Sequence, residues 1–363
     1  MNAIWSLILC CLPCFPELSL PGLNINGQHY KIERLLGEGG FSYVYLVTLS
    51  SNHDQQYALK KIRCPFGSND DSYVLAMKEI RNYHRFSRTL TPYVIQLLRE
   101  LVTEEPDGSK TIYILLPYFE RSLQDIINEM VLSNNTMPES EILRIFIGIC
   151  RGVKVMHSYK KIVGTLAAPM STAENEEDAL LPLHSDEEDA PAPLTSPNTT
   201  ELSELCPYAH RDLKPANVML GPEGIPVLVD LGLCGKARIK ITNRQQALTL
   251  QDFALEHCTL PYRAPELLEV PNNCEITEAT DIWSLGCLLY CCCFGFSPFE
   301  KLELEQGANL NIAIARGKYQ VPLNHDYLPE LIDIIKLCLQ MEPTQRPKIL
   351  QLLESALLLS RTA

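Results

Sequence analysis

The residues of this chain that could do chemistry fall in short runs spread over its 363 residues. Gly37-Glu38-Gly39-Gly40-Phe41-Ser42-Tyr43-Val44 is a glycine turn, where backbone N–H groups could come close to a phosphate because no Cβ blocks the approach. Alone it is a weak signal, since such a turn between two strands is most often only a hairpin. Ala58-Leu59-Lys60 adds an ammonium group, and Glu79 a carboxylate. The run HRDLKPAN supplies Asp212, Lys214 and Asn217, and VLVDLG supplies Asp230. Carboxylate and amide oxygens are the hard ligands a divalent cation takes, and a carboxylate within reach of a hydroxyl is a general base. What raises the weight of each run is its order and spacing among the others.

The elements that must position these groups change character along the chain. Residues 29–119 are strand-rich: HYKIERLLGEGGFSYVYLVTLS alternates apolar and polar positions around the glycines, and QQYALKKIRC and TIYILLPYF are short β-branched or aromatic runs. One helical pattern, YVLAMKEIRNYHRFSR, interrupts them and carries Glu79. From Leu123 onward the period is helical, as in SEILRIFIGICRGVKVMHSYKK, ATDIWSLGCLLYCCCFGF and LPELIDIIKLCLQMEP.

Glycine turn, lysine strand, acidic helix, HRDLKPAN, VLVDLG, YRAPE and DIWSLG together resemble the protein-kinase signature set. The resemblance implies an α+β, bilobal protein-kinase fold over residues 29–358. A small β-rich lobe would occupy about 29–116 and a larger α-helical lobe about 120–358. It also implies ATP as phosphoryl donor with Mg²⁺, Mn²⁺ being the other suitable hard ion. On this pattern Gly37, Glu38, Gly39, Gly40, Phe41, Ser42 and Val44 cover the nucleotide, Ser42 standing where the family has its third glycine. Ala58 lines the same site. Lys60 would hold the α and β phosphates and pair with Glu79. Asp212 would accept the proton of the attacking hydroxyl, and Lys214 would steady the transferring charge. Asn217 and Asp230 would bind metal. Leu116 matches the gatekeeper, and Leu116-Pro117-Tyr118-Phe119 the strip that pairs with adenine. Leu231 replaces the usual phenylalanine after the metal-binding aspartate. Glu266 and Arg346 resemble a buried structural pair, and Asp281 the helix residue that braces the catalytic loop. Lys214 is of the serine/threonine class.

A narrower resemblance lies in RQQALTLQDFALEHCTLPYRAPEL, taken with LGEGGFSYVYLV, LLPYF, GICRG and VLVDLG. These are similar to the Numb-associated kinase family, and within it to the small lipid-anchored serine/threonine kinases and their fungal vacuole-membrane relatives. That family carries a helix in the activation segment. Here Thr249 or Asp252 is the expected cap, with Leu248, Leu250, Phe253 and Leu255 as apolar positions. A prefolded segment implies little dependence on phosphorylation at Thr242 or Thr249. Glu266 in its APE run and Thr259 resemble a peptide-binding platform, which implies protein substrates rather than small molecules.

The formal charge is −13, and ten of the excess acids lie in residues 162–206, which contain no Lys or Arg. This Pro-, Ser- and Thr-rich stretch buries too little apolar surface to offset ordering, so a disordered acidic insertion within the kinase domain is expected. Ser185 before DEED and Ser196 before Pro197 make it a candidate docking segment for partners; a tolerated solvated loop is the rival reading. Nucleic acid is excluded as a partner, since no basic stripe is present. Of fourteen cysteines, Cys150, Cys287, Cys291, Cys292, Cys293 and Cys338 sit in apolar runs, where thiols pack as small hydrophobes.

Cys10, Cys11 and Cys14 differ, lying beside Ile4, Trp5, Leu7 and Ile8. A zinc site would need a second ligand pair, and a bilayer span needs roughly twenty apolar residues. No basic n-region marks a secretory signal, and Asn2 excludes N-myristoylation. S-acylation of the three cysteines is the remaining chemistry, with residues 1–28 as a membrane-anchoring segment. The expected location is the cytoplasmic face of a vacuole or Golgi membrane with a cytosolic pool, in a role in membrane trafficking or dynamics. The rival reading is a membrane-anchored adaptor that uses the kinase fold only to bind.

Overall fold

The structure, a computed structural model, describes residues 22–39, 42–87, 89, 91–165, 201–307 and 309–361. Gly40, Phe41, Cys10, Cys11 and Cys14 lie outside the described residues, as does 166–200. The chain divides into two units, whose described residues are 22–73 with 98–118 and 74–97 with 119–361.

The first unit is an antiparallel sheet of β1 (Leu23–Ile25), β2 (Gln28–Gly39), β3 (Ser42–Leu49), β4 (Asn52–Cys64), β5 (Arg99–Glu104) and β6 (Lys110–Pro117), in the order β1-β2-β3-β4-β6-β5. The sheet therefore begins at Leu23, inside the stretch expected to be an anchoring segment to residue 28. Alternation fixes its two faces. Tyr30, Val47, Leu59 and Leu115 pack with Ile25 into one cluster, while Ala58 and Lys60, flanking Leu59 on β4, belong to the other face. Register shifts between Ile32 and Arg34, and between Leu35 and Gly37, bulge β2 as it approaches the glycines.

The second unit is mainly helical. Helix α1 (Asp71–Ser87) starts in the first unit and continues into the second at Val74. Residues 74–97 group with the helical part. There Asn82 Nδ2 donates to the carbonyls of Leu231 and Cys234, both at 2.9 Å, and Arg85 stacks over Tyr208. Helix α2 (Leu123–Leu132) is closed at its start by a capping box between Ser122 and Asp125. Helix α3 (Glu139–His157) buries Ile142, Leu143, Phe146, Ile149, Cys150, Val153 and Met156 on one stripe. A Cβ on its Gly152 would stand 2.8 Å from both Leu228 Cδ1 and Tyr93 O, so this glycine allows backbone to pass close.

After α3 the chain enters an antiparallel ribbon, β7 (Lys160–Thr165) with β8 (Glu201–Leu205), registered Lys160 to Leu205 through Thr165 to Glu201. The insertion expected at 162–206 is therefore flanked by paired strands, and its outer residues on both sides join the ladder. Short ribbons then frame the candidate site: β9 (Tyr208–Ala209) pairs β12 (Gly235–Lys236), and β10 (Val218–Leu220) pairs β11 (Pro226–Leu228). Strand β13 (Ile239–Ile241) pairs β14 (Cys274–Ile276), and helix α4 (Arg244–His257) lies between them in sequence.

Helix α4 begins earlier than the apolar pattern suggested. Asn243 is its N-cap, accepting the Gln246 N–H at 3.0 Å, so Thr249 and Asp252 are interior rather than caps. Its buried stripe is Ala247, Leu250 and Ala254, with Phe253 half-buried; Leu255 faces solvent. Helix α5 (Ala279–Phe294) is buried on all sides from Thr280 to Cys293, with Trp283 stacked on Phe299 at 5.6 Å. It packs on α3, on α6 (Pro298–Gln306) and on α8 (Pro329–Cys338), while α7 (Leu310–Ala315) packs on α6 and α9 (Ile349–Leu359) on α3 and α8. Cys150, Cys287, Cys291, Cys292, Cys293 and Cys338 are free, buried thiols. No single helix among the described residues is long and apolar enough to cross a membrane. A β-rich first part and a helical remainder match the fold class read from sequence.

Candidate active site

In the first unit, pairing brings Val44, Ala58, Lys60 and Leu116 of the expected nucleotide-binding set onto one face. Lys60 lies opposite Val44 on β3 and Ile114 on β6, and Ala58 lies opposite Leu116. Directly opposed residues share a face, so Val44, Ala58 and Leu116 form an apolar surface around Lys60. Gly37 opposes Val44, Glu38 opposes Tyr43 and Gly39 opposes Ser42. Neither Gly37 nor Gly39 has a positive φ. A Cβ would meet nothing within 4 Å at Gly37 and only Ser42 Oγ, at 3.4 Å, at Gly39. Nothing inside the unit requires glycine there; open space above the backbone is what it leaves, and a phosphate could use that space. Tyr118 Oη accepts from Arg34 Nη2 at 3.4 Å.

In the second unit, the loop after β9 is held from beneath. Asp281, fully buried near the start of α5, accepts the backbone N–H of His210 at 2.8 Å and of Arg211 at 2.9 Å, and is bonded to His157 Nε2 at 2.9 Å. Burial pushes the Asp281 carboxyl up, but His157, His210 and the Arg211 N–H outweigh it and hold the group below the usual carboxylate range. Arg211 adopts φ +69°, a left-handed conformation that costs a non-glycine residue energy and persists only when its surroundings impose it. Its guanidinium donates to Lys236 O at 2.7 Å, fixing the other end of the residue.

The loop carries Asp212 into a cluster of donors. Oδ1 accepts the Thr259 N–H at 3.0 Å and its hydroxyl at 2.6 Å; Oδ2 accepts Asn217 Nδ2 at 3.0 Å and lies 2.7 Å from Lys214 Nζ. Lys214 Nζ also donates to Thr259 Oγ1 at 2.7 Å. Burial raises the Asp212 carboxyl, yet Lys214 and Thr259 more than compensate and keep it anionic below the ordinary range. Asn217 spends Nδ2 on Asp212, on the carboxylate and on its backbone carbonyl at 2.9 Å. Its amide oxygen is the atom left for a hard cation.

Asp230 follows β11, is exposed, and holds φ +61°. Leu231 beside it is fully buried, so the apolar plug is retained in a different shape. Glu79, 3% exposed on α1, accepts the Tyr83 hydroxyl at 2.8 Å, and its Oε2 stands 3.6 Å from where a Cβ on Gly232 would lie. The donor set of Asn217 and Asp230 is hard oxygen throughout, which fits a Mg²⁺-type ion. Among the described residues no group of three or more His, Cys, Asp or Glu is placed to hold a metal.

Glu266 and Arg346 form a bidentate pair at 2.7 and 2.8 Å, and Arg346 also donates to Ala279 O and Gln340 O while lying over the Trp283 ring. Thr259 is the residue that sequence reasoning under-read. Its place ahead of the APE run pointed to substrate; nothing local signalled that, 47 residues from Asp212, it would supply two of that carboxylate's donors.

The arrangement can hold a carboxylate anionic beside a cation, next to groups suited to a metal. A family model described as the protein kinase domain matches residues 30–163 and 206–358. Serine/threonine-protein kinase ENV7 of Saccharomyces cerevisiae is 41% identical over 360 residues, covering 95% of both chains. Serine/threonine-protein kinase ppk13 of Schizosaccharomyces pombe is 37% identical over 91% of this chain and 90% of its own. Serine/threonine-protein kinase 16 of Homo sapiens is 33% identical over 90% and 88% respectively.

Proposed function

The chain belongs to the protein kinase family, and from that premise we propose that it transfers the γ-phosphoryl group of ATP to serine and threonine hydroxyls of proteins. The observation that carries this reading is the cluster on Asp212, a buried carboxylate bonded to Asn217, Lys214 and Thr259. Asp212 takes the proton of the incoming hydroxyl, and Lys214 balances charge on the group in transit. Asn217, through its amide oxygen, and Asp230 hold the divalent cation, Mg²⁺ or Mn²⁺. When bound, that ion neutralises phosphate charge. Lys60 binds the α and β phosphates, oriented by Glu79, beneath the Gly37–Val44 turn. Val44, Ala58 and Leu116 supply the apolar surface for adenine, beside Tyr118 and Phe119.

The serine/threonine class is supported by the names of the relatives and by Lys214. The activation-segment residues, with helix α4, support a place in the Numb-associated kinase family. Protein substrates follow from the kinase assignment, and the acidic insertion at residues 162–206 is the candidate docking segment for partners. Membrane association rests on Cys10, Cys11 and Cys14 as S-acylation sites and leads to the vacuole or Golgi surface, with a trafficking role, as the working location.

The full chain incubated with [γ-³²P]ATP, MgCl₂ or MnCl₂ and a mixed protein substrate tests the activity. Label recovered as phosphoserine and phosphothreonine is expected. No incorporation, or label on tyrosine alone, would overturn the proposal.

A further inference from the structure

Arg263 is 5% exposed, and among the described residues it forms no ion pair with a carboxylate. Its Nη2 donates to two backbone carbonyls, those of Cys258 and, at 3.3 Å, Leu255, while its Nε is buried without a partner. Burial holds this guanidinium below the usual arginine range, against the opposing pull of Cys258 and Asp212. A buried cation satisfied only by carbonyls is costly, so its position calls for a reason beyond packing.

The carbonyls it reaches supply that reason. Leu255 lies in the last turn of α4 and Cys258 is its C-cap, where carbonyls lack intrahelical donors and the helix dipole favours a cation. The Cys258 carbonyl also shares one peptide group with the Thr259 N–H. That N–H donates to Asp212 Oδ1 at 3.0 Å. One planar unit is therefore held at both ends, its oxygen by Arg263 and its hydrogen by Asp212. A donor on the carbonyl oxygen polarises the amide and strengthens the bond its N–H makes.

We infer that Arg263 is a positioning residue for phosphoryl transfer, fixing the Cys258–Thr259 peptide so that Thr259 holds the Asp212 carboxylate oriented for the incoming hydroxyl. This rests on the proposed role of Asp212 as general base. It also gives α4 a function: the helix end is the abutment on which Arg263 and the peptide are set.

The test compares wild type, Arg263→Gln and Arg263→Lys as full chains, measuring kcat, the KM for ATP and the thermal midpoint. Arg263→Gln should lower kcat about tenfold or more, as misplacement of a reacting group does, while the KM for ATP stays within about twofold. Arg263→Lys, which keeps the charge and a donor, should recover part of the lost kcat. An unchanged kcat in Arg263→Gln overturns the inference. So does a loss of kcat that tracks a lowered thermal midpoint, is shared by the KM for ATP, or is not rescued by lysine. A wild type without activity would instead overturn the kinase proposal itself.

Discussion

Asp281 and Arg211 meet through the backbone: the carboxylate accepts the Arg211 N–H at 2.9 Å while Arg211 holds φ +69°. The bond stabilises a conformation the residue would not choose alone, and the next residue in the chain is Asp212. A buried acid seventy residues away thus sets the backbone from which the candidate base projects.

The first prediction concerns this brace. The folded carboxyl of Asp281 sits below its ordinary value, so its contribution to stability is full above the unfolded carboxylate pKa of about 4 and is lost as pH falls through the lower folded value. Asp281→Asn should cost about 2–4 kcal/mol at neutral pH, by removal of a buried acceptor for several donors, and less at strongly acid pH. Urea unfolding across that range measures it; an equal cost at both ends would contradict the assignment.

A second buried pair yields a directional expectation. The Arg346 side chain is fully buried, and among the described residues Glu266 is its carboxylate partner, the others being backbone carbonyls and the Trp283 ring. Glu266→Ala strands the guanidinium and should destabilise by about 3–5 kcal/mol, whereas replacing both residues by apolar ones of similar volume should cost less. Denaturant midpoints of the single and paired variants decide between them.

Helix α4 is capped and packed by side chains of its own segment: Asn243 closes its start, the Thr242 hydroxyl bonds Gln246 at 2.8 Å, and Ala247, Leu250 and Ala254 are buried. Thr242→Ala and Thr249→Ala should each leave kcat within about threefold, the loss of one surface hydrogen bond being small. Complete loss of activity in either variant would show that the segment depends on modification there.

The N-terminal cysteines give a prediction independent of the fold. One acyl chain anchors only marginally, so clustered sites are needed for stable attachment. The Cys10/Cys11/Cys14→Ser variant should move from the membrane to the soluble fraction with its specific activity retained. If it stays with the membrane, these cysteines do not anchor the chain.

Much of this was legible in the sequence because the runs around Lys60, Asp212, Asp230 and Asp281 are local and ordered. The two-part division followed from a change of period, which alternation and apolar spacing record directly. What could not be read depends on distant partners. Thr259 meets Asp212 only because α4 and the chain after it return to the catalytic loop. Asn82 ties α1 to the Leu231 and Cys234 carbonyls across about 150 residues, a link that no local pattern announces. The start of α4 was missed because its buried stripe contains two alanines, too faint beside the more apolar Leu248 and Leu255. The ribbon at Lys160–Thr165 and Glu201–Leu205 was hidden by averaging its residues into the acidic composition between them.

Asp212 as the proposed base for phosphoryl transfer from ATP can be tested by setting kcat of Asp212→Asn against wild type at saturating ATP, with nucleotide affinity measured in parallel. The variant's kcat should be lower by about 100-fold or more, in line with loss of a general base, with ATP still bound. A variant that turns over like wild type, or one that loses activity only because it no longer binds ATP, would contradict the proposed role.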